Sequence, residues 1–167
     1  IPNTLPEDIY EKILASLESK GIRIVVDATK DLLLNVLKYH PFLIKPNNHE
    51  LGEMFGTVCK TDEDIVHYAK KLQEKGAVNV LISMAGDGAI LITEDGQNIK
   101  MGTPKGKVVN SVGAGDSMVA GFITGYIRGG NYEEALKSGT AAGSATAFSE
   151  GLASLEMYEK MLKQITE

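Results

Sequence analysis

The run Asn110-Ser111-Val112-Gly113-Ala114-Gly115-Asp116-Ser117 sets two glycines and an alanine directly before a carboxylate. Three residues with so little side chain let a ligand oxygen approach the backbone N–H groups, and glycine also accepts positive φ. Residues 117–127 are mostly apolar and long enough for a buried helix. Its unpaired N–H groups and positive dipole end would face the Gly-Ala-Gly turn, a natural seat for phosphate or a developing oxyanion. An anion seat does not need the fixed negative charge of Asp116. The task that suits such a carboxylate is to accept a proton from a substrate hydroxyl. Helix capping is the structural alternative, because Asp in a first helical turn is stabilising by itself.

Two further segments carry polar groups after apolar runs. Lys45-Pro46-Asn47-Asn48-His49-Glu50 supplies an amide and a carboxylate three residues apart. Hard oxygens of that kind suit Mg²⁺, which keeps several waters and takes few protein ligands. The same spacing is also that of a capping box, with Asn47 as N-cap and Glu50 reaching back, and taken alone the box is the better reading. His49 has no second His or Cys at metal-ligand spacing and reads as a surface residue. Ser83-Met84-Ala85-Gly86-Asp87-Gly88 is a polar turn between apolar segments. It either lines a nucleotide with exposed backbone or simply needs glycine for a tight connection.

Familiar phosphate motifs fail. Gly102-Thr103-Pro104-Lys105-Gly106-Lys107-Val108 lacks the spacing and the Ser/Thr of a Walker loop. Neither Gly113-Ala114-Gly115 nor Gly86-Asp87-Gly88 reaches a third glycine at dinucleotide spacing, which argues against a nicotinamide enzyme. The small-residue stretch Ser138-Gly139-Thr140-Ala141-Ala142-Gly143-Ser144-Ala145-Thr146-Ala147 leaves room for a neighbouring helix or for a flat base, helix packing being the better prior.

The elements that must position these groups alternate. Helical spacing covers residues 7–20, 31–39, 49–55 and 62–75, the last with Ile65, Ala69 and Leu72 on one side. Apolar runs at 22–27, 42–45, 78–83 and 89–93 read as strands, Gly96 sits in a hairpin, and Val108-Val109 reads as a last short strand. From Asp116 the chain is helical over 116–128, 132–149 and 154–166, with Gly129-Gly130 and Gly151 as breaks. Strands alternating with helices predict one α/β domain with a mostly parallel sheet covered by helices on both faces. Ligands then gather at the carboxyl ends of strands, where Asp27, residues 45–50, 83–88 and 110–116 all fall.

The chain has 167 residues, 43% of them hydrophobic, and a net charge of −5 with both signs interspersed. No basic stripe offers itself to nucleic acid, and no apolar stretch approaches a membrane span. The single Cys59 cannot form an internal disulfide and nothing at the start reads as a secretory signal, so the default location is the cytoplasm.

Taken in order, Asp27 after a strand, Asn47-x-x-Glu50, Ser83 to Gly88, Gly113-Ala114-Gly115-Asp116-Ser117 and the small-residue helix resemble the ribokinase-like, PfkB family of sugar kinases. The likeness is strongest in Ile44-Lys45-Pro46-Asn47 to Glu50-Leu51-Gly52, in residues 110–121 and in residues 142–151, and it covers nearly the whole chain. The resemblance implies ATP-dependent phosphorylation of a sugar phosphate, with fructose 1-phosphate as acceptor and tagatose 6-phosphate as rival. It implies Asp116 as the base and the Gly113, Ala114 and Gly115 amides as the anion hole. Asn47 and Glu50 would govern Mg²⁺. Lys45, Ser83, Gly86, Gly88 and Ser111 would lie along ATP, with Thr140 and Gly143 near the adenine. Some family members hold a monovalent cation where this chain has Asn110, and an amide there leaves that ion open.

Family members are roughly twice this length. The resemblance therefore implies that residues 1–167 form the C-terminal ATP-binding and catalytic-base portion, without the N-terminal sugar-binding half and lid, and Pro2 matches the proline at the junction. Such a chain is expected to bind Mg-ATP weakly or not at all and not to phosphorylate sugar alone, since the lid excludes water. Two readings of another class stay open. One is a non-catalytic nucleotide-binding module; the other is an α/β fragment that pairs with a second copy through an exposed sheet edge.

Overall fold

Helix-start chemistry explains where several elements begin. In a computed structural model that describes residue 6 and residues 8–166, Thr61 and Asp64 form a capping box at the head of helix α4 (Asp62–Glu74), and Asn131 caps helix α6 (Tyr132–Ala147) through the N–H of Glu134. Pro2, the expected junction residue, lies outside the described residues. The chain divides into two units, residues 1–82 with 91–98 and residues 83–90 with 99–167. Five strands make one mixed sheet in sequence order: β1 (Val25–Val26), β2 (Leu43–Ile44), β3 (Asn79–Ser83), β4 (Ala89–Ile92) and β5 (Asn98–Met101). The first three run parallel, with Val25 opposite Leu43 and Leu43 opposite Asn79. The connections from β3 to β4 and from β4 to β5 are too short for a parallel crossover, which takes a dozen or more residues, and for that reason the sheet is mixed.

In the first unit the helices are α1 (Ile9–Leu17), α2 (Lys30–Val36), α3 (Asn48–Met54) and α4. Leu33, Val36, Leu43, Ile44, Leu51, Leu72, Val80 and Leu81 are fully buried, and α4 buries Ile65, Ala69 and Leu72 as its spacing predicts. The apolar run 22–27 pairs only at Val25–Val26. An edge strand extends no further than its partner, and β2 lies between Pro41 and Pro46, the latter without an N–H to donate. Asn79 is buried and bonded at both ends of its side-chain amide: its NH₂ donates to Phe42 O at 2.9 Å and its Oδ1 accepts from Glu94 N–H at 2.9 Å.

The second unit is dominated by α5 (Ala114–Gly129), α6 and α7 (Leu155–Thr166). Helices α5 and α6 approach so closely that a Cβ on Gly121 would lie 2.6 Å from Ser138 O, and one on Gly125 would lie 2.7 Å from Glu134 O. Helix α7 covers the far side of α6, where Ala141, Ala145 and Met161 form a core with Phe148, Met157 and Leu162 packed on it. Val108-Val109, expected as a strand, is a loop with both side chains mostly exposed. The last strand is instead β5, whose polar alternation leaves only Ile99 and Met101 half-buried. No helix among the described residues is long and apolar enough to cross a membrane.

Candidate functional site

In the first unit the register of β1 and β2 sets Val26 opposite Ile44, so the residues that follow them, Asp27 and Lys45, come side by side. Lys45 Nζ lies 3.4 Å from Asp27 Oδ2, with Lys45 only 7% exposed. Sequence reasoning placed both at strand ends but did not pair them. The pairing matters because a buried ammonium left without its carboxylate would be strongly destabilising.

Asn47 and Glu50 form the capping box of α3. Glu50 N–H donates to Asn47 Oδ1 and Asn47 N–H donates to Glu50 Oε2, both at 2.8 Å. The two side chains thus already have a structural task, and Glu50 Oε1 is the carboxylate oxygen outside the box. His49 is exposed. Among the described residues, no three His, Cys, Asp or Glu side chains gather as a metal centre.

In the second unit, Ser83 ends β3 half-buried and leads into a single 3-10 turn, Ala85–Asp87. Met84 N–H donates to Gly88 O at 2.8 Å, and Thr103 Oγ1 donates to Gly86 O at 2.9 Å. Gly88 has φ +92°, and a Cβ there would fall 2.0 Å from Met101 O, so its glycine is a requirement of the turn. Gly86 is exposed and has open space where a Cβ would be.

The expected anion seat falls at the Gly113 turn. Gly113 takes the left-handed conformation at φ +78° and is the N-cap of α5, so Ala114, Gly115 and Asp116 are its first three helical residues. The helix therefore begins two residues earlier than its periodicity suggested. One detail corrects the expected anion hole: Ala114 N–H already donates to Ser111 O at 3.2 Å. The first intrahelical bond runs from Ser117 N–H to Gly113 O at 2.9 Å. The N–H groups of Gly115 and Asp116 lie between these two, where a helix makes no internal bond. Asp116 is exposed beside them, and Ser111 is exposed on the incoming loop.

Ties to the α6–α7 connection hold this loop, and sequence reasoning missed them. Val109 and Asn110 N–H both donate to Ala147 O, at 2.8 and 3.2 Å. Asn110 donates its amide to Glu150 O at 3.0 Å and accepts Val112 N–H on Oδ1 at 3.0 Å. Ser117 Oγ and Thr146 Oγ1 are 2.8 Å apart. Such long-range pairs leave no periodic trace in a sequence.

Thr140 and Gly143, expected near an adenine, are both buried on α6. A Cβ on Gly143 would meet Ala114 O at 3.1 Å and Met118 Cβ at 3.2 Å, so its missing side chain makes room for α5. Thr140 is 0% exposed. The small-residue stretch packs against α5, and both residues are buried in it.

The sequence pattern of pfkB family carbohydrate kinases matches residues 1–157. The chain belongs to the pfkB family. The 1-phosphofructokinase of Bacillus subtilis (strain 168) is 49% identical over 165 residues, 99% of this chain and 54% of that protein. The D-tagatose-1-phosphate kinase of Bacillus licheniformis is 37% identical over 166 residues, again 99% of this chain and 54% of that protein. Among solved structures, phosphofructokinase-2 from Escherichia coli in complex with substrates and products matches 100% of this chain and 55% of that chain, with a TM-score of 0.92 at 26% identity. The chain spans about half the length of the curated relatives it matches, and its fold is ribokinase-like.

Kinases of the pfkB family use ATP with a metal ion, generally Mg²⁺. The donor set in the first unit fits such an ion in chemical type. Glu50 Oε1 and the Asn47 side-chain oxygen are hard ligands, and so small a protein contribution suits an ion that keeps its waters and leans on phosphate oxygens.

Proposed function

We propose that this chain is the nucleotide-handling and proton-accepting half of an ATP-dependent sugar-phosphate kinase, with fructose 1-phosphate as acceptor and fructose 1,6-bisphosphate as product. One observation carries the reading. In a member of a carbohydrate kinase family, a carboxylate stands in the first turn of α5 beside N–H groups with no helical partner, behind a glycine cap in the left-handed conformation.

Phosphoryl transfer asks little covalent chemistry of a protein; it asks for alignment and charge neutralisation. Asp116 would take the proton from the acceptor hydroxyl as that oxygen bonds to the γ-phosphorus and the bond to the ADP oxygen breaks. The Gly115 and Asp116 N–H groups, with Gly113 free of side chain, would donate to the transferring oxygens, a preorganised arrangement that needs no reorientation in the transition state. Mg²⁺, when bound, supplies charge neutralisation on the phosphates, and Glu50 and Asn47 would hold it. Lys45, Ser83, Gly86, Gly88 and Ser111 would lie along ATP.

The D-tagatose-1-phosphate kinase among the relatives adds tagatose 1-phosphate, beside tagatose 6-phosphate, to the acceptors to test. The deciding assay compares fructose 1-phosphate, fructose 6-phosphate, tagatose 1-phosphate and tagatose 6-phosphate with the complete protein, alongside Asp116→Asn. Loss of the base should lower kcat by about a hundredfold or more while ATP still binds. Near-native turnover by that variant would remove Asp116 from the role.

A further inference from the structure

The hydroxyl of Thr146 stands where the loop before α5, the first turn of α5 and the end of α6 meet. It is 1% exposed. On one side it lies 2.8 Å from Ser117 Oγ, and on the other it accepts Ala153 N–H at 3.3 Å. Ser117 is held from its backbone as well, since its N–H closes the first turn of α5 onto Gly113 O at 2.9 Å. The residue directly after Asp116 is therefore fixed at two points, one inside its helix and one on α6. The same end of α6 supplies Ala147 O to the N–H groups of Val109 and Asn110.

We propose that Thr146, through Ser117, is a positioning residue that holds the Gly115–Asp116 turn in place for phosphoryl transfer. Both the proton transfer and the donation of N–H groups to the phosphoryl oxygens depend on distances near 3 Å, and a misplacement of about 1 Å costs on the order of a hundredfold. A first helical turn is otherwise weakly restrained, because its N–H groups have no helical partners. Hydroxyl to hydroxyl contact with a buried residue of another helix supplies the restraint. Thr→Val removes it with the shape retained, and Thr→Ser keeps it. The inference rests on Asp116 being the base, so its test includes a readout that does not need turnover.

In the complete protein, Thr146→Val should lower kcat for fructose 1-phosphate by about ten- to a hundredfold while leaving the KM for ATP within about threefold. Thr146→Ser should restore kcat to within about twofold. Amide hydrogen exchange at Ser117, whose N–H is bonded to Gly113 O, should quicken in Thr146→Val and not in Thr146→Ser. Ser117→Ala removes the other end of the contact from a less buried position and covers the case in which Thr146→Val fails to fold. It should reproduce the kcat loss, and the double variant should be no worse than either single one. Wild-type kcat and unchanged exchange in Thr146→Val, or in Ser117→Ala should the former not fold, would overturn the proposal, as would a Thr146→Ser enzyme as impaired as Thr146→Val. If the wild-type protein turns over no sugar phosphate, the proposed function falls, and the exchange comparison alone decides whether Thr146 pins the turn.

Discussion

Gly121→Ala separates the two uses to which a stretch of small residues can be put. A Cβ at residue 121 would lie 2.6 Å from Ser138 O, 2.7 Å from Ala142 Cβ and 3.1 Å from Gly139 Cα. The first distance falls short of ordinary contact by about 0.8 Å, and the obstacle is main chain of a buried helix, which cannot swing aside as a side-chain tip would. Overpacking of this sort costs about 1–3 kcal/mol. With main chain as the obstacle the cost lies in the upper part of that range, about 2–3 kcal/mol; alanine returns about 1 kcal/mol through its higher helix propensity, so the net loss should be about 1–2 kcal/mol. With a urea m-value of about 2 kcal/mol/M, the midpoint should drop by about 0.5–1 M. The obstruction is graded along the seam: Gly139 would meet Met118 O at 2.9 Å and Gly143 would meet Ala114 O at 3.1 Å. The cost of alanine should therefore fall from residue 121 through 139 to 143. Gly86→Ala, in open space, serves as control and should stay within about 0.5 kcal/mol of wild type. Equilibrium urea unfolding with a far-UV and a near-UV probe measures all four. Unchanged stability at residue 121, or a raised KM for ATP at residue 143 with no loss of stability, would refute the seam and return the stretch to an adenine.

Three further outcomes follow from local chemistry. Glu50→Gln keeps an oxygen for the N–H of Asn47 but loses the charge offered to a metal. It should therefore lower the melting temperature by no more than a few degrees while raising the Mg²⁺ concentration needed for half-maximal turnover several-fold, as a Mg²⁺ titration would read. The backbone N–H groups of Lys60 and Thr61, both donating to Asp64, hold its carboxyl below the ordinary value. A depressed folded pKa contributes stability above the unfolded value, near pH 4, that is lost as pH falls through the folded one. Asp64→Asn should thus flatten the acid limb of stability below about pH 4, read by unfolding from pH 5 to pH 2. Burial, followed by the nearby charge of Asp64, pushes the Cys59 thiol up. Its alkylation by iodoacetamide at pH 7.5 should be slower than that of a free thiol such as glutathione, as mass spectrometry over time would show.

Features with a local cause were legible in the sequence. Asn47 and Glu50 sit three apart because a capping box requires that spacing, and the box is present. Gly113 stands where the N-cap of α5 takes positive φ, which few other residues accept. Helix α4 was legible because it buries one stripe, Ile65, Ala69 and Leu72, whereas α6 is buried on two sides and was marked by its small residues. The last strand was not. Val108-Val109 has the β-branched composition of a strand yet lies exposed, whereas Asn98-Ile99-Lys100-Met101 pairs at a sheet edge with polar side chains outward. Strand composition reports burial on a pleated face, and an edge strand with one wet side carries little of it.

The small-residue stretch of α6 shows why a site is harder to read than a fold. A seam between two helices and a wall for a flat base make the same demand on sequence, the removal of side chains, and differ only in what fills the space. Here the filler is α5, whose own glycines at 121 and 125 face Ser138 and Glu134 of α6. Seen from α5, the reciprocal absence of side chains was available in the sequence: Gly121 and Gly125 are four apart on one face, as Gly139 and Gly143 are on α6. A base would need only one such face. Two matching faces on consecutive helices are the signature of a helix pair drawn together. That close approach carries a functional consequence, since the helix it anchors begins at Gly113 and holds Asp116 in its first turn. The glycines of the two helices thus have a packing role of their own, as the mount for the proposed base.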